Sequence, residues 1–277
     1  MTAVSTGSGP SVSSAVQVIV DEQAAYTKRE DALRALTGKL AEADRQALYA
    51  FLRQRYPGDD GQLGLVLKNE LLDRLCQVEP PPLGLRDLLT QIYRDPTQNI
   101  VLRDYAVQHL SAFFRQMADA SGVEARTRND ELNQAQHVLW AAVNDTGSSI
   151  SGTAMLGLCQ LSQEGWPGLD RDKIGNTALK LAGDSNAGEL TRITAFQVCA
   201  RLRVKDALGV VLGAAEQGET EPVRISAIGA LGALAGTDQM PFLKGVLQGT
   251  DERLKSAARG ALNQIEQRLQ TAQSSGP

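Results

Sequence analysis

The sequence predicts an all-α protein built as an α-solenoid, in which about six helix pairs stack one on the next. Three observations predict this fold. After Asp21, apolar residues recur at spacings of three and four, which is typical of amphipathic helices. The breaks between these segments are short and rich in glycine, proline, asparagine and aspartate, which favours turns. A motif in the last third of the chain also returns at a nearly constant interval, which indicates a repeat architecture.

The repeated motif is clearest in three segments. They are ELTRITAFQVCARL at Glu189–Leu202, EPVRISAIGALGAL at Glu221–Leu234 and ERLKSAARGALNQI at Glu252–Ile265. Each begins with glutamate, has a base three residues later, and has alanine after three more. These alanines are 32 and 31 residues apart: Ala195, Ala227 and Ala258. The repeating unit is therefore just over thirty residues long, and its helices can bury their apolar faces only by stacking on neighbours.

The copies weaken upstream, and this sets the predicted domain boundaries. RDYAVQHLSAF and SGTAMLGLCQL place Ala106 and Ala154 in the same frame. We expect one solenoid domain over residues 21–268, with degenerate capping repeats at 21–80, irregular repeats at 80–165 and regular repeats at 170–268. Residues 1–20 carry no charge and are predicted to be a flexible, disordered lead, and residues 269–277 a flexible tail.

EPVRISAIGALGAL resembles the second helix of a HEAT repeat, or of the HEAT-like repeat of the phycobilisome-lyase type. It has an acidic and proline start, then Val-Arg, then alanine and leucine at helical spacing. The resemblance is strong over residues 170–268, moderate over about 80–165 and weak before that. It implies a curved, right-handed superhelix of helix pairs, each packing only on its neighbours.

A basic residue recurs at one position of the motif, and two roles are open for it. The bases are Arg103, Arg192, Arg224 and Lys255. They can form an anion-binding ladder, or they can pair with the glutamates that stand three residues earlier in the last three copies. The resemblance favours pairing, because a base here commonly contacts an acid of its own or the adjacent repeat. We expect a structural role.

The glycines of the Glu221–Leu234 segment raise a second question, because each costs a helix about 1 kcal/mol relative to alanine. Gly229 and Gly232 replace larger residues of the other copies, and Gly236 stands where a helix C-cap is expected. Their cost is offset if a neighbouring helix or a bound partner approaches closely. The sequence leaves both alternatives open.

Composition argues against several classes of function. A formal net charge of −4 and a pI near 5.4 argue against a general nucleic-acid or anionic-membrane binder. No apolar run approaches the roughly 20 residues that span a bilayer. We expect a cytoplasmic protein, or a periplasmic or secreted one if a signal or anchor precedes Met1.

No motif of catalysis or metal binding is present. The three cysteines, Cys76, Cys159 and Cys199, lack CxxC spacing and are expected to be buried free thiols. His109 falls on a core position of its repeat, and His137 has no second ligand at suitable spacing. We therefore expect no catalytic residues, no metal and no cofactor.

The function that we expect is a non-catalytic scaffold or adaptor that binds an unknown protein or peptide partner on the concave face of the solenoid, with no nucleic-acid binding and no membrane insertion. Helical geometry directs four polar side chains away from the apolar core, and these are the candidate partner-binding residues: Gln108, Arg115, Gln197 and Asn263. Two alternatives stay open. The chain can be a structural subunit of a larger, envelope-associated assembly, or the resemblance can indicate a bilin lyase-like or other HEAT-repeat enzyme.

Overall fold

The computed structural model describes residues 11–55, 62–218 and 220–274, and all regular secondary structure in these residues is helical. Its fourteen α-helices are α1 Ser14–Val20, α2 Tyr26–Ala35, α3 Glu42–Arg53, α4 Gln62–Cys76, α5 Leu85–Arg94, α6 Ile100–Asp119, α7 Ala125–Ala142, α8 Ser149–Gln163, α9 Arg171–Gly183, α10 Glu189–Leu202, α11 Leu208–Gln217, α12 Glu221–Leu234, α13 Met240–Val246 and α14 Glu252–Ser274. Short 3-10 helices, Lys205–Ala207 and Thr237–Gln239, precede α11 and α13.

The chain forms two compact units, unit 1 at residues 1–138 and unit 2 at residues 139–277, with the boundary inside α7. In unit 1, helices α1, α3 and α5 pack one on the next, and helices α2, α4 and α6 form a second row that packs in the same way. In unit 2, α8, α10, α12 and α14 pack one on the next, while α9, α11 and α13 each pack on the following helix. This stacking of helix pairs confirms the predicted α-solenoid. The prediction of a single domain over residues 21–268 stays a prediction.

The repeat frame of unit 2 is set by small residues on the second helix of each pair. Ala195, Ala227 and Ala258 are at most 1% exposed, so each lies where neighbouring helices meet. Side-chain oxygens also join successive repeats: the Thr191 hydroxyl donates to the Ser148 carbonyl at 2.8 Å, and the Ser226 hydroxyl donates to the Ile193 carbonyl at 3.2 Å. Small side chains at the seam allow this close approach, and the partnered hydroxyls avoid an unsatisfied polar group.

Side-chain caps fix where several helices begin. Asp170 accepts from two backbone N–H groups of α9, at 2.9 and 3.1 Å, and Asp251 does the same for α14 at 2.9 and 3.1 Å. Thr220 caps α12, whose first turn contains Pro222 as the sequence predicts. These caps satisfy amide groups that have no partner inside the helix.

The predicted flexible lead of residues 1–20 is wrong over Ser14–Val20, and residues 1–10 lie outside the described residues. Val16 and Ile19 are fully buried in α1, and the Ser13 N–H donates to Asp44 at 2.7 Å. The uncharged segment orders because its apolar residues pack on α2 and α3. The predicted tail is likewise helical over residues 269–274, as a continuation of α14, while residues 275–277 lie outside the description.

The expected pairing of each recurrent base with the glutamate three residues earlier is found at Lys255. Lys255 pairs with Glu252 at 2.5 Å, three residues earlier, as expected. Glu221 instead contacts Arg253 of the next repeat at 3.2 Å, and Arg103 donates to the Tyr93 carbonyl at 2.8 Å. The acid of one repeat therefore reaches the following repeat because successive second helices lie side by side.

Candidate functional site

The four predicted contact residues lie in both units. Gln108 and Arg115 belong to α6 of unit 1, where Gln108 is exposed and Arg115 is half-buried. Gln197 of α10 and Asn263 of α14 belong to unit 2, and both are exposed. Their contact with a partner stays a proposal.

Gln197 lies on a repeated exposed row, and Asn263 does not. Two residues after the buried alanine, α10 has Gln197, α12 has Gly229 and α14 has Gly260, and all three are exposed. A Cβ added to either glycine would meet nothing within 4 Å. Asn263 occupies the position that corresponds to Gly232, which is buried under α14. Asn263 is exposed because α14 is the last described helix of the stack.

The structure assigns different roles to Gly229 and Gly232 of α12 and to Gly236, which follows the helix. A Cβ on Gly232 would meet the Gln264 side-chain oxygen and would lie 3.1 Å from the Ala261 Cα atom of α14, so the neighbouring helix packs directly against this glycine. Gly229 faces open space. The prediction that Gly236 is the C-cap is wrong: Ala235 occupies that position, and Gly236 has an extended backbone before the next 3-10 helix.

Unit 1 contains an apolar pocket of about 340 Å³ that sequence reasoning missed. Its walls come from the connection between α4 and α5, the end of α6 and the segment that leads into α7. The apolar lining residues are Leu40, Val78, Pro80, Pro81, Pro82, Leu83, Leu85, Phe113, Met117 and Val123. The available signal was the EPPPLG segment, which reads as a stiff turn and is indeed a connection between helices.

Three of the four charged residues that line this pocket have charged partners, and the fourth, Lys39, is exposed. Arg45 bonds Glu42 at 2.5 Å and donates to the Leu83 carbonyl at 2.7 Å, which ties α3 to the proline-rich connection. The hydrogen bond from Arg45 holds the pKa of Glu42 below its usual value. Glu131 of α7 accepts from Arg86 at 2.6 Å. These carboxylates are therefore already compensated, and the pocket offers mainly apolar surface.

Unit 2 has a second, more open groove with a different character. It lies between the C-terminal end of α10, the last turn of α12 and the C-terminal half of α14. Arg203 and Arg268 both line it, with Gln264, Gln267 and Thr271 beside them.

The histidine and cysteines expected in the core are found there. His109 is 4% exposed, and its Nε2 lies 2.9 Å from the Asn69 side-chain oxygen. Burial lowers the pKa of His109 below its usual value. The three cysteines are free and buried, and burial raises the pKa of Cys76 and Cys199 to about 12. A thiol with so high a pKa is a poor nucleophile near neutral pH.

The described residues contain neither a candidate metal cluster nor a membrane-spanning helix. No group of three or more His, Cys, Asp or Glu side chains in residues 11–55, 62–218 and 220–274 could hold a metal ion. Within the same ranges, no helix has the length and apolar character required to cross a bilayer.

The repeated helix pairs define this chain as a helical repeat protein. Residues 177–263 match the family model for HEAT repeats, so this segment contains HEAT repeats, and the resemblance of the EPVRISAIGALGAL segment is confirmed. No curated protein matches the chain.

Two solved structures are similar to it. Human deoxyhypusine hydroxylase in complex with glycerol is 16% identical, over 91% of this chain and 95% of that one, with a TM-score of 0.36. A designed armadillo repeat protein is 14% identical, over 91% of this chain and 98% of that one, with a TM-score of 0.39. Both TM-scores lie below 0.5, so neither structure bears on function.

Proposed function

We propose that this chain is a non-catalytic scaffold or adaptor that binds a segment of a partner protein, and that the apolar pocket of unit 1 receives an apolar side chain of that segment. The observation that supports this most is the pocket itself. It combines apolar walls with two carboxylates, Glu42 and Glu131, that already pair with arginines. HEAT repeats at residues 177–263 agree with a scaffold, because stacked repeats present extended surfaces for binding.

The size and lining of the pocket favour a side chain as its occupant. A volume of about 340 Å³ is at the lower end of the range for small-molecule sites, roughly 300–1,000 Å³. Burial of an apolar group there contributes about 25 cal/mol for each Å² removed from water. Leu83 on the rim is 79% exposed, and a partner segment that crosses the rim would cover it.

The predicted contact residues extend this proposal beyond the pocket. Gln108 and Arg115 would contact a partner on unit 1, and Gln197 and Asn263 would contact one on unit 2. Gln197 has the stronger support, because its row continues over Gly229 and Gly260, where a partner can approach the helix backbone. If substitutions at all four residues leave a partner bound with unchanged affinity, these residues are not part of the binding surface.

A peptide-display experiment tests the pocket directly. Random twelve-residue peptides on phage are selected against the full chain, and the enriched peptides are synthesised and titrated by fluorescence anisotropy. We expect them to share an apolar residue, and we expect Leu83→Asp to weaken binding by tenfold or more, which corresponds to about 1.4 kcal/mol.

Ile100→Asp provides the matched control. Ile100 is also an exposed apolar residue of unit 1, at 45%, but it lies outside the pocket at the start of α6. We expect this variant to bind within twofold of the original chain. Equal binding by the Leu83 and Ile100 variants, or no enrichment of peptides over an unrelated protein, would contradict the proposal.

A further inference from the structure

The groove of unit 2 contains two cationic side chains and no acidic one among its described lining residues. Its volume is about 660 Å³, and its polar lining consists of Arg203, Gln264, Gln267, Arg268 and Thr271, with glycine and alanines between them. Arg203, Arg268 and the two glutamines can each donate a hydrogen bond to a ligand, whereas the Thr271 hydroxyl already donates to the Gln267 carbonyl at 2.9 Å. The lining is therefore suited to a ligand that accepts hydrogen bonds and carries negative charge.

Arg203 holds a backbone conformation that arginine does not favour. Its φ of 53° and ψ of 49° place it in the left-handed region, and it is the only non-glycine residue with positive φ in the described part of the chain. It ends α10, where its N–H donates to carbonyls of the last turn. Glycine and asparagine are the usual residues at such a position. Arginine at a strained site indicates a role for its side chain, because strain persists where function requires it.

Arg268 reaches the same groove from α14 and is held in place. Its Nη2 donates to the Ala235 carbonyl, at the end of α12, at 2.5 Å. Burial lowers the pKa of its guanidinium, and the charge of Arg203 lowers it further. Arg203 lines the same groove and is exposed. Two like charges that line one groove, without a carboxylate among its described lining residues, favour the entry of an anion.

We propose that this groove binds a multiply charged oxyanion, a phosphate or a polycarboxylate, between Arg203 and Arg268. A planar guanidinium matches the oxygens of both groups and can donate two parallel hydrogen bonds to them. The amides of Gln264 and Gln267 supply further donors at the edge. This site is independent of the apolar pocket, since it lies in the other unit and selects the opposite kind of ligand.

Thermal unfolding of the full chain tests the proposal, with inorganic phosphate and citrate compared with sodium chloride at equal ionic strength. Binding to the folded state raises the midpoint, and we expect a rise of roughly 3–6 °C at saturating anion. Isothermal titration calorimetry gives the affinity in the same buffers. Both anions also stabilise folded proteins by exclusion from the protein surface, so only a rise that depends on Arg203 supports the oxyanion site, and the anion that gives it identifies the class that the site takes.

The variant Arg203→Gly separates a binding role from a structural one. Glycine relieves the left-handed backbone, so this variant should unfold at a higher temperature than the original chain without anion, and yet lose the rise with phosphate or citrate. Arg201→Gln removes the same charge from an exposed arginine of α10 outside the groove and should keep the rise. The proposal is overturned if Arg203→Gly keeps the rise, or if neither anion exceeds chloride.

Discussion

Unit 2 repeats one arrangement of helices, whereas unit 1 varies it, and their surfaces differ as a result. In unit 2 the same alanine position is buried in three successive repeats, and short turns join the helices. In unit 1 the proline-rich connection between α4 and α5 and the segment before α7 leave the repeat frame and line a pocket. Regular repeats use their apolar surface to pack on each other. An irregular connection leaves part of that surface available for a ligand.

A substitution at Gly232 tests how closely successive repeats of unit 2 pack on each other. Gly232→Leu should lower the free energy of unfolding by about 3 kcal/mol or more, because the added side chain overlaps the backbone of α14 near Ala261. Urea denaturation followed by circular dichroism measures the effect. Gly229→Leu, on the same helix but facing open space, is the matched control and should not destabilise the chain. Similar losses in both variants would contradict the assignment of the seam.

Unit 1 is distinguished by its histidines, since both His109 and His137 lie there. Burial holds the pKa of His109 below the value of about 6.5 that it has in the unfolded chain. Below pH 6.5 the unfolded state therefore binds more protons, and stability present above that pH is lost as the pH falls toward the folded pKa. The slope should reach up to about 1.4 kcal/mol per pH unit.

Urea midpoints at pH 7.5 and 5.5 measure this loss, and His109→Gln should reduce it. The glutamine can still bond Asn69, so it serves as a variant of similar polarity without a titrating ring. His137 is exposed, and His137→Gln is the control that removes an imidazole outside the core of unit 1. An equal slope in the original chain and in His109→Gln would show that other groups cause the loss.

Substitutions at the exposed glycines Gly229 and Gly260 should stabilise the chain, in contrast to the substitution at the buried Gly232. Gly229→Ala and Gly260→Ala should each raise the free energy of unfolding by about 0.5–1 kcal/mol, because alanine favours the helix and nothing in the described structure obstructs its methyl group. The double variant should show nearly additive gains by urea denaturation. A loss of stability in either single variant would mean that the row packs against another part of the chain.

The smallest effect is expected at the ion pair between repeats. Arg253 and Glu221 are 3.2 Å apart, but their side chains are 79% and 42% exposed, so solvent screens the pair. Arg253→Gln should change the free energy of unfolding by about 0.5 kcal/mol or less. A double-mutant cycle with Glu221→Gln measures the coupling. A coupling above about 1 kcal/mol would show that this pair contributes more to stability than exposed pairs normally do.

Periodicity predicted the parts of this molecule that depend on local pattern. The buried alanines follow from apolar spacing, the start of α12 from its acidic and proline residues, and the free thiols of Cys159 and Cys199 from the absence of CxxC spacing. The same reasoning failed at α1, because a short uncharged segment reads as a flexible lead until the surface that buries Val16 and Ile19 is known. It also could not assign the α12 glycines, since their roles depend on the distance to the next helix.

The sequence by itself determined the architecture, because a repeat of 31–32 residues with helical apolar spacing can bury its core only by stacking pair on pair. Only the tertiary structure decided where that stack leaves space. The apolar pocket joins residues between Lys39 and Glu131, and the basic groove joins Arg203 to Arg268. Such sites arise from residues far apart in the chain, and their charge and volume depend on packing distances that no local pattern specifies.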